Sequence, residues 1–252
     1  MPGRKRTLAL LAFFATPLLA QAPPATPTAD EILAKYIKTI GGMENIEAVK
    51  ALKRTGKYTG GGGFEAKVVE QNERPNFVRQ EFTFQGMTGV TAYDGKTGWK
   101  IEPWQGKKDA EPLGEDELKG IVEDSVFDGQ LVHYKEKGNT IEFAGSEPVE
   151  GTDAWKLKVM LKNGDVQYYY MDTDYFVPIK IEFKRMIRGA EQESEASLGD
   201  YKQVAGWYLP HSIEVGRKGS QEKAKIVYQK IEANVPMDEQ MFRQPAAPAV
   251  SK

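Results

Sequence analysis

From Thr28 the chain has a helical period. Ile32, Leu33, Tyr36, Ile37 and Ile40 fall on one stripe, and Thr28 with Glu31 has capping-box spacing. A helix is therefore predicted over 29–40, closed by Gly41-Gly42, with a shorter helical stretch over 43–52. At Leu52 the period changes to two. "RTGKYTGGGGFEAKVVEQ" predicts two strands around a glycine run. "NFVRQEFTFQGMTGVTAYDGKTGWKIEPW" predicts three more, turned at Gln85-Gly86 and Asp94-Gly95. Helical spacing returns once, over 114–127, where Leu118, Ile121, Val122 and Val126 make an apolar face.

Strands then resume. Trp155, Leu157, Val159 and Leu161 alternate with Lys156, Lys158, Met160 and Lys162. After an expected tight turn at Asn163-Gly164, Val166, Tyr168 and Tyr170 continue the apolar alternation. Ile179, Ile181 and Phe183 alternate with Lys180, Glu182 and Lys184; Trp207, Leu209, Ile213 and Val215 mark a further strand, and 223–235 the last. The pattern predicts a mainly β (α+β) protein: about eleven antiparallel strands with one apolar and one lysine-rich face. A sheet of this size curls, and the two amphipathic helices, 29–40 and 114–127, are expected to cover its concave side.

The N-terminus changes the picture of where this domain works. Arg4, Lys5 and Arg6 precede an apolar run too short to span a bilayer, followed by small residues, which is the layout of a secretory signal peptide cut after Ala20. Residues 21–28 read as a proline-rich linker, 29–244 as a single domain and 245–252 as a disordered tail. Cleavage removes the three basic residues and lowers the formal charge from −2 to −5, which gives no electrostatic reason to expect nucleic acid as a partner. Cysteine is absent, which excludes disulfides, thiolate metal ligands and a cysteine-linked lipid anchor.

Candidate chemistry is sparse. Gly95-Lys96-Thr97 ends like a phosphate-binding loop, but Val90 stands where the first glycine is required, and aromatic and β-branched residues follow instead of a helix. His133 and His211 have no metal-ligand spacing, no Gly-x-Ser-x-Gly elbow occurs, and "MDTDYF" lacks the glycine and distal glutamate of a calcium loop. The residues imply no enzyme, no cofactor and no metal.

"ERPNFVRQEF" and "VTAYDGKTGWKIEPW" resemble the periplasmic outer-membrane lipoprotein carrier family, the LolA-like soluble shuttles. The matching positions are Arg74-Pro75-Asn76, Asp94-Gly95-Lys96-Thr97, Trp99 and Pro103-Trp104. "YYYMDTDYFVPIKIEF", "YKQVAGWYLPHSIEV" and "IEANVPMDEQMFRQP" are similar to the wider lipoprotein-sorting relatives. The resemblance implies an incomplete β-barrel with a helical lid, and a hydrophobic cavity holding acyl chains of lipoproteins or lipids. It further implies an inner-membrane donor, an outer-membrane acceptor and a monomer in the periplasm. It gives Arg74 the role of tying barrel to lid. Candidate wall residues are Trp99, Ile101, Trp155, Leu157, Val159, Tyr168, Tyr170, Ile179, Ile181 and Phe183; alternation fits each to a cavity wall and to a packed core alike. A regulatory, lipid-sensing module is the alternative, motivated by an extra acidic stretch around 189–200.

Overall fold

The computed structural model describes residues 26–187 and 190–246. The expected signal peptide and cleavage point, most of the linker and the end of the tail lie outside them. The chain begins with α1 (Ala29–Thr39) and α2 (Met43–Ala48). Strands β1 (Ala51–Thr59), β2 (Glu65–Glu73), β3 (Phe77–Phe84), β4 (Met87–Asp94), β5 (Gly98–Glu102) and β6 (Lys107–Pro112) form the first meander. After α3 (Glu115–Ser125) come β7 (Thr140–Val149), β8 (Thr152–Met160), β9 (Val166–Asp172), β10 (Pro178–Ile187), β11 (Ala190–Val204), β12 (Trp207–Arg217) and β13 (Lys223–Ala233).

All thirteen strands join one sheet in the order β6-β5-β4-β3-β2-β1-β13-β12-β11-β10-β9-β8-β7. The two meanders are fused where β13 pairs antiparallel with β1. The edges, β6 and β7, do not meet, so the sheet is an incomplete barrel. The chain crosses from one edge to the other through α3 and residues 126–139, which lie over the concave face.

The capping box forms as its spacing predicts: Glu31 N donates to Thr28 Oγ1 at 3.2 Å, and Thr28 N to Glu31 Oε2 at 2.8 Å. Gly95 turns with φ 86°, while Asp94 Oδ1 accepts from the backbone N–H of Lys96 (3.0 Å) and Thr97 (2.7 Å). The "GKT" triplet is thus held as a hairpin turn.

Three stretches depart from the pattern. The second helix ends at Ala48, because the extended Val49 already leads into β1. β6 and β7 were not legible: "KKDAEP" has no apolar period, and a bulge between Phe143 and Ser146 breaks the alternation of β7. The acidic stretch is part of the 15-residue β11. Its carboxylates face outward into a ladder of lysines: Glu193 meets Lys184 (2.5 Å) and Lys218 (3.1 Å), and Glu195 meets Lys180 (3.0 Å) and Lys223 (2.9 Å). These charges fix strand pairing on the outer face rather than offering a free acidic surface.

Candidate ligand-binding groove

Three apolar clusters close parts of the concave face. Under α1, Ile32 and Leu33 pack with Leu157, Val159, Tyr169 and Met171. Around α2, Ile40, Ile46 and Val49 pack with Leu52, Trp207 and Leu209. Under α3, Ile121 packs with Val78 and Tyr93. Between them the sheet is uncovered. There Ile181, Phe183, Ala196, Leu198, Ile213 and Val215 line a cavity of ≈ 520 Å³, bounded on the helical side by Tyr36, Phe127 and Leu131. Cross-strand pairs Ile181↔Ala196, Val215↔Ala196 and Leu198↔Ile213 put these side chains on one face.

A second cavity of ≈ 300 Å³ continues towards the β1–β2 and β3–β4 turns, lined by Tyr58, Val68, Phe82 and Trp104 among others. It is an aromatic chamber. Tyr58 and Phe82 meet edge to face at 5.1 Å, and Phe82 and Trp104 at 6.0 Å. Gly89 makes room for the indole, since a Cβ there would stand 2.0 Å from Trp104 Cη2.

Glu70, Gln80, Ile226 and Tyr228 border both cavities, and the seam between them is polar. Arg54 pairs with Glu70 and donates to Asn72 Oδ1 at 2.7 Å; Tyr228 Oη donates to Glu70 Oε2 at 3.3 Å. Gln80 Nε2 donates to Asp124 Oδ2 at 3.1 Å. Enclosure by protein, then the nearby Glu70 charge, pushes the Asp124 carboxyl up to about 6. Asp124 keeps contact with the solvent of the groove, so a ligand that dries the groove would bury it further.

Arg74 sits at the back of the helical cover. Its Nε donates to Val49 O at 3.0 Å, Nη2 to Ile46 O at 3.2 Å and Nη1 to Asp128 Oδ2 at 2.8 Å, with the guanidinium 4.6 Å from the centre of the Phe127 ring. One side chain thus joins the end of β2 to the end of α2 and to the chain leaving α3. Lys137 completes the knot, donating to Asp128 Oδ1 (2.6 Å), Gly129 O (2.6 Å) and Val132 O (2.7 Å).

The predicted wall residues scatter over both faces. Ile181 and Phe183 line the larger cavity, whereas Ile101 packs with Trp99 beside Val90 and Ala92. Leu157 and Val159 are fully buried in the cluster under α1, and Trp155 packs at its margin, 5.0 Å from Phe176. Ile179 falls at the irregularity between Pro178 and Lys180. Trp99 faces outward: it donates Nε1–H to Phe242 O at 2.8 Å, beneath the C-terminal segment that crosses β3 to β5.

Tyr168 and Tyr170 require a correction. Asn163-Gly164 is not a two-residue turn, because Met160 pairs with Val166 and a five-residue loop separates them. The register therefore differs by one, which moves the whole strand's pattern to the other face. Tyr169 and Met171 face the helices. Tyr168 and Tyr170 face outward, with Lys156 Nζ 5.0 and 4.8 Å from their ring centres. Ala196 and Leu198 of β11 and Ile226 and Tyr228 of β13 complete the lining, and among β11 to β13 only Ile213 and Val215 of β12 had an alternation that pointed to this face. Among the described residues no group of three or more His, Cys, Asp or Glu could hold a metal ion, and no helix is long and apolar enough to cross a membrane.

A curled, unclosed antiparallel sheet with helices over an apolar groove defines a class of fold. Comparison with solved structures identifies it as the LolA-like fold. A LolA superfamily protein of Nitrosomonas europaea superposes with TM-score 0.58 at 13% identity, covering 86% of this chain and 98% of the other. A putative outer membrane lipoprotein-sorting protein domain from Vibrio parahaemolyticus gives 0.56 at 14%, covering 84% and 94%. A DUF1329 family protein from Desulfovibrio piger gives 0.58 at 10%, covering 86% and 98%. At these identities the likeness is one of fold. A family model described as an uncharacterized "-like" protein matches residues 125–246. No curated protein matches the sequence.

Proposed function

We propose that this protein is a non-catalytic periplasmic carrier that holds the acyl chains of lipoproteins or lipids in its concave groove. The carrying observation is the uncovered stretch of apolar sheet, where a ≈ 520 Å³ cavity persists between the helices. Each methylene moved from water into such a lining gains roughly 0.8 kcal/mol, so no cofactor is needed to capture a chain. Release needs only re-exposure of the groove, and the Arg74 knot is placed to restrain that movement. The basic-then-apolar N-terminus supports export, and the fold supports handover between an inner-membrane donor and an outer-membrane acceptor.

Native mass spectrometry of protein made in a membrane-bearing host, with and without added diacylated lipopeptide, tests this reading. Lipid or lipopeptide adducts are expected on the folded protein. A protein that stays free of both would contradict it.

A further inference from the structure

Resting on the carrier reading, we propose that the polar seam selects the ligand's junction. The groove takes a two-armed amphiphile, one apolar arm in each chamber, joined by an uncharged group that donates hydrogen bonds. Glu70, Gln80, Ile226 and Tyr228 stand in the walls of both cavities, so a ligand with one arm in each would pass across the seam they form. An all-apolar ligand would strip water from Glu70 and Asp124 without replacing its hydrogen bonds, which is costly. A junction hydroxyl or amide N–H restores them.

The seam also discriminates by charge. Arg54 pairs with Glu70 and bonds Asn72, while Asp124 receives from the neutral Gln80. With Asp124 ionised, the three charged groups Arg54, Glu70 and Asp124 sum to −1. A phosphate placed there meets repulsion from the Glu70 and Asp124 carboxylates. Arg185 does not offset this, because it is engaged by Glu123 at 2.5 Å. The smaller chamber suits a short arm, its length limited by Trp104 lying on Gly89.

Titration calorimetry with three soluble probes tests the proposal: dioctanoylglycerol, monopalmitoylglycerol (the same acyl carbons in one chain) and dioctanoyl phosphatidic acid. At neutral pH dioctanoylglycerol should bind at least about tenfold tighter than either. Val68→Trp, which fills the smaller chamber, should reduce the advantage over monopalmitoylglycerol to about twofold or less. Thr91→Phe provides the same obstruction should Val68→Trp fold poorly, each variant being checked by its melting curve. Asp124→Asn should narrow the discrimination against phosphatidic acid. Equal binding of one- and two-chain probes, a two-chain advantage untouched by either obstruction, or phosphatidic acid matching dioctanoylglycerol would overturn the inference while leaving the carrier reading standing. Failure of all three probes to bind overturns both.

Discussion

The strands beneath α1 and those between α1 and α3 share one curved face, yet they are built for different ends. Under α1 the side chains Leu157, Val159, Tyr169 and Met171 meet Ile32 and Leu33, and Leu157, Val159 and Met171 are wholly buried. Further along the sheet, Ala196, Leu198, Ile213 and Val215 are also apolar but no helix reaches them, and a cavity results. Polarity does not distinguish the regions. The path of the helices does, because α1 ends at Thr39 while α3 rests on the far side against Val78 and Tyr93. An apolar sheet face becomes a ligand site only where the chain declines to cover it.

The largest effect should come from the filled side. Leu157→Ala is expected to cost about 2–5 kcal/mol, as truncations in well-packed cores do. Val215→Ala, at the open cavity, should cost under about 1 kcal/mol, since it removes contacts that water or ligand otherwise supplies. Chemical denaturation of the two variants measures the gap. Equal losses would break the comparison, because they would mean that the open stretch is packed as tightly as the closed one.

Next comes the knot that holds the cover in place. Arg74→Leu removes three hydrogen bonds and leaves the buried Asp128 facing Lys137 alone, so a loss of about 1.5–3 kcal/mol is expected. If Arg74 acts as a latch, transfer of a fluorescent lipopeptide to an acceptor should accelerate on the order of tenfold per folded molecule. A lower melting temperature with unchanged transfer would make Arg74 a purely structural tie.

A smaller effect should appear with pH. The folded-state pKa of Asp124, about 6, lies above its ordinary value of 3.8. The stability linked to its proton is therefore fully present below pH 3.8 and is lost as pH rises through about 6. An apolar ligand dries the site further, so binding should take up a proton and strengthen as pH falls through 6. The gain is about tenfold per unit by which the ligand raises the pKa. Gln80, Glu70 and Arg54 from the sheet, Arg185 from β10 and Glu123 from α3 all surround this group. Asp124→Asn should flatten the binding profile over this range, and a slope that survives it would place the titration elsewhere.

The smallest change concerns the outer face. Trp99→Phe loses one indole hydrogen bond to Phe242 O, worth about 1 kcal/mol, and should leave lipid affinity unchanged. Altered affinity would show that the C-terminal segment is coupled to the groove.

The sequence made the architecture legible wherever local chemistry settled it: the capping box at Thr28, the turn at Asp94, the period change at Leu52. It carried the groove less well, because which face of a strand turns inward depends on loop length. One extra-long loop at 161–165 was enough to send Tyr168 and Tyr170 outward. The floor of β11 was obscured by its outward glutamates, whose lysine partners come from β10, the residues after β12, and β13. Covered and open stretches of sheet share the same alternation, so the absence of a helix over Ile213 could be seen only in three dimensions.

Photolabelling tests the central claim most directly. Palmitate carrying a mid-chain diazirine, equilibrated with the protein and irradiated, should mark peptides containing Ile181, Phe183, Ile213 and Val215, and the labelling should be competed by unmodified palmitate. Labelling centred instead on Leu157 and Val159 beneath α1, or on Tyr168 and Tyr170 outside, would contradict the account.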